Sequence, residues 1–301
     1  MQKSRNRLTE LLDADFMARL DSLDVLSRKI LQGKMQGERR SKRRGQSVEF
    51  ADHRPYVAGD DLRFIDWNIY GRLEQLFLKL FLEEQDLTVH ILMDCSNSVS
   101  LGEPSKERFI KKMAAALSYV GLVNNNRVTV SSFADGLTGQ LPNMRGRHYL
   151  RQLAEFLLSP NSSGQGPSRF DDACRQLISG RIGSGVMIVM SDFLLKEGYD
   201  SGLRRLIGRR YDLYVIQILS PQELTPDLAG DLSLIDTEDG DVAEVTVSAA
   251  LLEYYKRNLS AYCNEIKTFC TQRGATYVLA NSADGVEPLM LNYLRRIGLL
   301  R

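Results

Sequence analysis

Two short apolar runs constrain this chain more than anything else in it. Residues 89–93, interrupted only by His90, and residues 186–190 have the β-branched and aliphatic content of strands buried on both faces. The first ends abruptly in Asp94-Cys95-Ser96-Asn97-Ser98, the second in Ser191-Asp192. In an α/β fold, ligands bind where strands end, on the carboxyl side of the sheet. In a locally extended loop Asp94, Ser96 and Ser98 point to one side, because side chains two apart share a face. One carboxylate and two hydroxyls then form an all-oxygen set suited to a hard cation such as magnesium. Asp and Ser after a strand are equally common as turn and helix-cap residues. This stretch alone leaves both readings open.

The rest of the chain places these runs in an alternating pattern. Helical spacing is expected at residues 105–123, 148–158, 170–178, 201–209, 249–273 and 288–296. Strand-like segments fall at 127–133, 211–219 and 276–280, with a short edge strand at 137–141. Alternation of this kind implies βαβ units around a mainly parallel sheet. Residues 232–236 and 243–247 flank a Glu238-Asp239-Gly240-Asp241 turn and read as a hairpin inserted into that pattern.

Upstream, Leu8, Leu11, Leu12, Phe16, Leu20, Leu23 and Ile30 predict an amphipathic helix over residues 8–31. Residues 33–45 are polar, glycine-bounded and basic. Their run of Arg39, Arg40, Lys42, Arg43 and Arg44 reads as a solvated loop in preference to a phosphate-binding patch. Residues 76–83 look like a strand that could pair with 88–93 through a turn at 84–86. Arg54, Tyr56, Asp60, Asp61, Arg63, Asp66 and Trp67 interleave charge with aromatics; a salt-bridged shell around Trp67 is the plainer reading and a partner-binding surface the sharper one. The expected organisation is an N-terminal helix and basic loop (1–45), an extension with a strand (46–87), and an α/β domain (88–301).

Composition excludes several classes. A net charge of +1 argues against a wholly basic nucleic-acid binder. No apolar run is long enough to span a membrane and no signal-peptide core opens the chain, so a cytoplasmic location is expected. Cys95, Cys174, Cys263 and Cys270 lack zinc or CxxC spacing; Cys263 and Cys270, seven apart on a predicted helix, should face the core.

Three loops thus offer Asp94, Ser96 and Ser98; Ser168, just before a helix and also an ordinary N-cap candidate; and Asp192. If the two apolar strands are neighbours, all three loops open on one edge. This constellation resembles the metal-ion-dependent adhesion site of von Willebrand factor A domains. The segment Arg54-x-Tyr56-x-x-Gly59-Asp60-Asp61-x-Arg63-x-Ile65-Asp66-Trp67, the Leu234-Ile235-Asp236-x-Glu238-x-Gly240 hairpin and the Tyr254-Tyr255 helix resemble the bacterial family catalogued as domain of unknown function fifty-eight. The resemblance covers roughly residue 45 to the C-terminus.

It implies a Rossmann-like, von Willebrand factor A-type sheet flanked by helices, with magnesium (manganese or calcium as substitutes) held by Asp94, Ser96, Ser98, Ser168 and Asp192. The family position at 168 is usually Thr; Ser keeps the hydroxyl but loses the methyl that restricts its rotamer. The resemblance also implies a non-enzymatic module that works with a MoxR-type AAA+ ATPase, chaperone-like, on a client whose carboxylate completes the ion's coordination. Members with long N-terminal extensions carry transmembrane helices, and this chain resembles the short soluble members. The main rival is a magnesium-dependent hydrolase or phosphotransferase using Asp94 as nucleophile. Such an enzyme wants a second Asp at position 96 and a lysine beside the site. Position 96 is Ser, and in sequence only Lys196 stands near Asp192. His53, His90 and His148 are scattered. A dinucleotide loop must follow a strand, whereas the glycines at 180, 183 and 185 precede one.

Overall fold

The two apolar runs become adjacent central strands of one sheet. The structure is a computed structural model that describes residues 8–27, 49–82, 87–159, 169–180, 185–208, 211–237 and 240–301. In chain order its elements begin with α1 (Ala14–Leu20), β1 (Glu49–Pro55), α2 (Trp67–Leu73), β2 (Phe77–Leu82), β3 (Thr88–Asp94), α3 (Lys106–Val123), β4 (Arg127–Phe133) and β5 (Leu137–Met144). There follow α4 (Leu150–Leu158), α5 (Phe170–Ser179), β6 (Gly185–Ser191), α6 (Asp200–Ile207), β7 (Tyr211–Leu219), α7 (Pro221–Leu224), β8 (Gly230–Ile235), β9 (Val242–Val247), α8 (Ala249–Gln272) and β10 (Thr276–Asn281). The chain divides into two units, one of Met1–Gly33 with Leu87–Arg301, the other of Lys34–Asp86.

The larger unit is built on a six-stranded sheet in the order β10-β7-β6-β3-β4-β5. All neighbours run parallel except β5, an antiparallel edge strand on β4. Counted along the chain and read from the β5 edge, this is the doubly wound order 3-2-1-4-5-6. The mainly parallel α/β sheet expected from the alternation is therefore present. Period-two alternation sorts its core. Val89, Ile91 and Met93 of β3 and Val186, Ile188 and Met190 of β6 pack with Phe16 of α1, Met113 of α3 and Leu153 of α4. Leu92, Met187 and Val189 pack on the other face with Cys174 of α5, Leu203 of α6 and Cys270 of α8. Cys263 and Cys270 are both buried, as their spacing implied.

Several expectations change. Within the described residues 8–27, the helix expected over 8–31 is the short α1. Asp13 starts it by accepting the Phe16 N–H, 2.8 Å away. Beyond Asp21 the chain turns extended, and Val25 forms a β-bridge with Leu300. Leu23 and Val25 still face the core, which is why the apolar spacing continued past the helix end. Asn124 Nδ2 donates to the Leu23 carbonyl at 2.6 Å. The N-terminal residues thus belong with the α/β unit and not to a separate piece. The strand expected at 76–83 does form, but it pairs antiparallel with β1. It could not add to β3, because both hydrogen-bonding edges of β3 are taken by β4 and β6. The hairpin β8–β9 is present. The helix expected at 288–296 is one turn, Val286–Pro288, followed by a π-helical stretch, Leu289–Leu294. The basic run 39–44, the loop at 33–45 and Glu238-Asp239 lie outside the described residues.

Close packing of the two central strands depends on Gly185. A Cβ there would stand 2.0 Å from the Thr88 carbonyl oxygen, a backbone atom that cannot move aside without breaking the β3–β6 register. Gly185→Ala should therefore destabilise the protein by about 2–3 kcal/mol or prevent folding. Urea unfolding checks this, and an unchanged midpoint would show that the strands have slack.

Candidate functional site

β3 and β6 lie side by side where the strand order reverses, the crevice in which open α/β sheets bind ligands. Their parallel register sets Met93 opposite Met190, so Asp94 and Ser191 emerge together at the carboxyl edge. Ser191 Oγ donates to Asp94 Oδ2 at 2.5 Å and accepts the Phe193 N–H at 2.9 Å. Asp94 Oδ1 accepts the Ser96 N–H at 2.9 Å. The turn role considered for Asp94 is thus real, and it directs the following loop across the strand end. Ser96 stands at the N-cap of a 3-10 turn, Asn97–Ser100, yet its hydroxyl makes no cap bond. Ser96 Oγ lies 3.0 Å from Ser98 Oγ. The two hydroxyls share one face, as period-two spacing predicts.

Asp192 follows on the β6 side and is as deeply buried as Asp94; each is 1% exposed. Its Oδ1 accepts the Leu194 N–H at 3.1 Å, and its carbonyl accepts from Gln217 Nε2 at 2.8 Å. Its Oδ2 accepts from Lys106 Nζ at 2.9 Å. The same ammonium donates to Glu223 Oε1 at 2.5 Å. Asp94, Ser96, Ser98 and Asp192 are therefore brought to one strand edge. Ser168 lies outside the described residues. Its neighbour Arg169 is the N-cap of α5 and donates its backbone N–H to the Ala134 carbonyl just beyond β4, 2.8 Å away.

Burial and the neighbouring Asp192 charge push the Asp94 carboxyl up to about 7. Burial opposes the charge on Lys106, but Asp192 and Glu223 outweigh it and raise its pKa above the ordinary lysine value. With Asp94 ionised, Asp94, Asp192 and Glu223 against one lysine would carry a formal excess of two negative charges, which one divalent ion would balance on displacing the Asp94 proton. The two serine hydroxyls hydrogen-bond each other at 3.0 Å, a separation that adjacent ligands of an octahedral magnesium ion bound at about 2.1 Å would also have. On both counts the donor set fits such an ion. Among the described residues no group of three His, Cys, Asp or Glu side chains converges to hold a metal, so any ion here relies on hydroxyls as well as carboxylates.

Sequence reasoning overlooked Lys106, Ser191, Phe193, Glu223 and Tyr262. Lysine beside Asp192 is a correction: Lys196 pairs with Asp236 at 2.9 Å, while Lys106, from a different element, sits on Asp192. A signal for it existed. Lys106 precedes Phe109, Ile110 and Met113 by three, four and seven residues and so lies on the buried stripe of α3. Phe193 holds a left-handed backbone, φ 57°, costly for an aromatic residue. Tyr262 of α8 donates to its carbonyl at 2.5 Å and helps hold that turn in place.

In the smaller unit the interleaved charges form ion pairs. Arg54 grips Asp60 through two bonds of 2.8 and 2.7 Å, and Arg63 pairs with Asp61 at 2.6 Å. Tyr56 donates its backbone N–H to the Leu76 carbonyl. Asp66 caps α2 through Asn68 and Ile69. A bond from His53 first, then the backbone N–H groups and Lys79, hold its carboxyl down to about 2. Trp67 is not enclosed by this shell. It is 63% exposed at the first position of α2, with its ring edge-on to Tyr70.

The family described as Protein of unknown function DUF58 matches residues 52–262, well over half of the chain, and the chain belongs to that family. The uncharacterized protein Rv1480 of Mycobacterium tuberculosis is 25% identical over 256 residues, 83% of this chain and 80% of that one. Among solved structures, the conserved hypothetical protein BatB from Bacteroides thetaiotaomicron aligns with a TM-score of 0.41 and 14% identity, covering 70% of this chain and 98% of that one. The VWA domain of SpRpn10 aligns with a TM-score of 0.38 and 12% identity, covering 69% and 95%.

The raised Asp94 carboxyl carries a pH signature. Its folded pKa lies above its unfolded value of about 4, so between about pH 4 and 7 the folded state binds a proton that the unfolded chain has lost, and stability falls as pH rises through that window. In chelator, Asp94→Asn should lose this dependence. The stability of the variant relative to wild type should therefore rise by a few kcal/mol from about pH 4 to 7. Urea midpoints at both pH values test it; parallel curves would mean that Asp94 is ionised without cost.

Proposed function

We propose that the protein is a non-enzymatic, metal-dependent protein-interaction module. The observation that carries the reading is the convergence of Asp94, Ser96, Ser98 and Asp192 at the switch point between β3 and β6, with the Ser96 hydroxyl making no cap bond and bonding instead to that of Ser98. Ser96 and Ser98 would ligate magnesium directly, and Asp94 and Asp192 would offset its charge. Ser168 is a further candidate ligand. A bound ion would supply an open coordination position for a carboxylate of a client protein.

The partner reading rests on the family resemblance: a MoxR-type AAA+ ATPase, with this chain serving in chaperone-like assembly or activation of protein complexes. Arg54, Tyr56, Asp60, Asp61, Arg63, Asp66 and Trp67 are the candidate docking residues. Their support is that the ion pairs rigidify the segment while Leu62, Trp67 and Leu73 stand exposed on it, since aromatic anchors dominate binding energy at interfaces. No described helix is long and apolar enough to cross a membrane.

The enzyme reading gains a lysine from the structure, because a phosphotransferase wants one near its aspartates. That lysine, however, is fully buried and bonded to two carboxylates, so it offers a phosphate nothing. His90 is buried within β3, against Tyr211, which leaves it poorly placed to act as a base at the strand's carboxyl end.

Calorimetric titration with magnesium and manganese, after chelator treatment, should show saturable binding that Asp94→Ala removes. Capture of an ATPase or client in pull-downs should fall by about tenfold or more on adding chelator, and likewise in Asp94→Ala and Asp192→Ala with the fold intact by circular dichroism. Capture indifferent to chelator and to both substitutions would move the function away from this site.

A further inference from the structure

Among the described residues, Lys106 is the largest charged side chain sealed inside the protein, with no exposed surface. It is also the first residue of α3, where the helix dipole disfavours a positive charge. A buried ammonium is costly, and an apolar residue of similar volume commonly replaces a buried ion pair without loss of stability. The lysine is therefore explained only together with the carboxylates it pairs, since removing one partner of a buried ion pair leaves the other charge uncompensated. The reason lies in what it touches. Its Nζ is shared between Asp192 Oδ2 (2.9 Å) and Glu223 Oε1 (2.5 Å). Glu223 cannot follow the lysine elsewhere. Its other oxygen accepts from Ser220 N at 2.7 Å and Ser220 Oγ at 2.9 Å, closing the capping box that starts α7. Its carbonyl accepts from Tyr255 of α8 at 2.9 Å.

We propose that Lys106 is a built-in counter-ion of the cation site, positioned by Glu223, which sets the site's affinity for a divalent ion by competing for Asp192. The inference rests on the reading that Asp94, Ser96, Ser98 and Asp192 hold such an ion. One tethered charge already satisfies Asp192 Oδ2 and repels a second cation. The site is thereby kept from the tighter, more permanent metal binding that an unopposed Asp94–Asp192 pair would produce. A partner's carboxylate then contributes a large share of the charge that holds the ion, so metal and partner bind together more readily than either alone. Glu223 tempers Lys106 from the other side by drawing the ammonium toward α7. Lys106 and Glu223 therefore act on the ion with opposite signs, although they form one hydrogen-bonded pair.

That opposition is the test. Magnesium and manganese are titrated by calorimetry into the chelator-stripped full chain as wild type, Lys106→Met, Glu223→Gln and Asp94→Ala. Lys106→Met should bind about tenfold or more tighter than wild type, Glu223→Gln about tenfold weaker, and Asp94→Ala not at all. Glutamine keeps the oxygen that Ser220 needs, so the capping box survives. Should Lys106→Met fail to fold, Lys106→Gln, which retains a donor for Asp192 without the charge, carries the same expectation. If Lys106 and Glu223 are merely structural, both variants weaken binding together. That pattern, or an unchanged affinity in Lys106→Met, overturns the inference and leaves the cation site standing. Folded wild type and variants that all bind no ion overturn the cation site and the inference with it.

Discussion

The structure depends on two parallel strands, β3 and β6, that are buried on both faces and share a register. Parallel neighbours need long crossovers, and those crossovers supply the helices that cover each face. The sheet winds outward from this pair in both directions, toward β4 and β5 on one side and β7 and β10 on the other. Residues leaving the two strands at their carboxyl ends have protein on either hand. Whatever polarity they carry must be answered by other protein groups or by a ligand, since little water reaches them.

The answers given to Asp94 and Asp192 differ, and the difference defines the site. Asp192 receives a lysine, a backbone N–H and, at its carbonyl, a glutamine that is itself fixed by Tyr277. Asp94 receives a serine hydroxyl and a backbone N–H but, among the described residues, no ammonium. Two carboxylates on one edge are thus made unequal by a single side chain from the start of α3. The left-handed turn at Phe193 belongs to the same design: its N–H is spent on Ser191 and its carbonyl on Tyr262. Strain of this kind persists only where neighbours over-determine the backbone.

Much of this was legible in the chain because the relevant signals are local. Apolar runs bounded by polar residues mark strands whatever they pair with, and the hairpin at β8–β9 and the spacing of Cys263 and Cys270 were equally plain. The errors have one common form. Helical periodicity ran through Asp13 and Asp21 because Leu23 and Val25 also reach the core, although through extended chain. β2 reads as a strand, but its partner is β1, 20 or more residues upstream, and no local signal excludes β3. Trp67, the one tryptophan, suggested an enclosed ring; its position at the head of α2 leaves it in solvent.

By itself, the sequence determined which residues stand at strand ends and which hydroxyls share a face, since backbone geometry repeats every two residues in a strand and every 3.6 in a helix. Asp94, Ser96, Ser98 and Asp192 follow from that alone. Tertiary structure alone decided what those groups meet. Lys106 lies 86 residues from Asp192 and 117 from Glu223, and no periodicity links residues so far apart. Only the stacking of α3 and α7 over one sheet edge brings an ammonium between two carboxylates, and a lysine on an apolar stripe becomes explicable once burial forces its charge to find them.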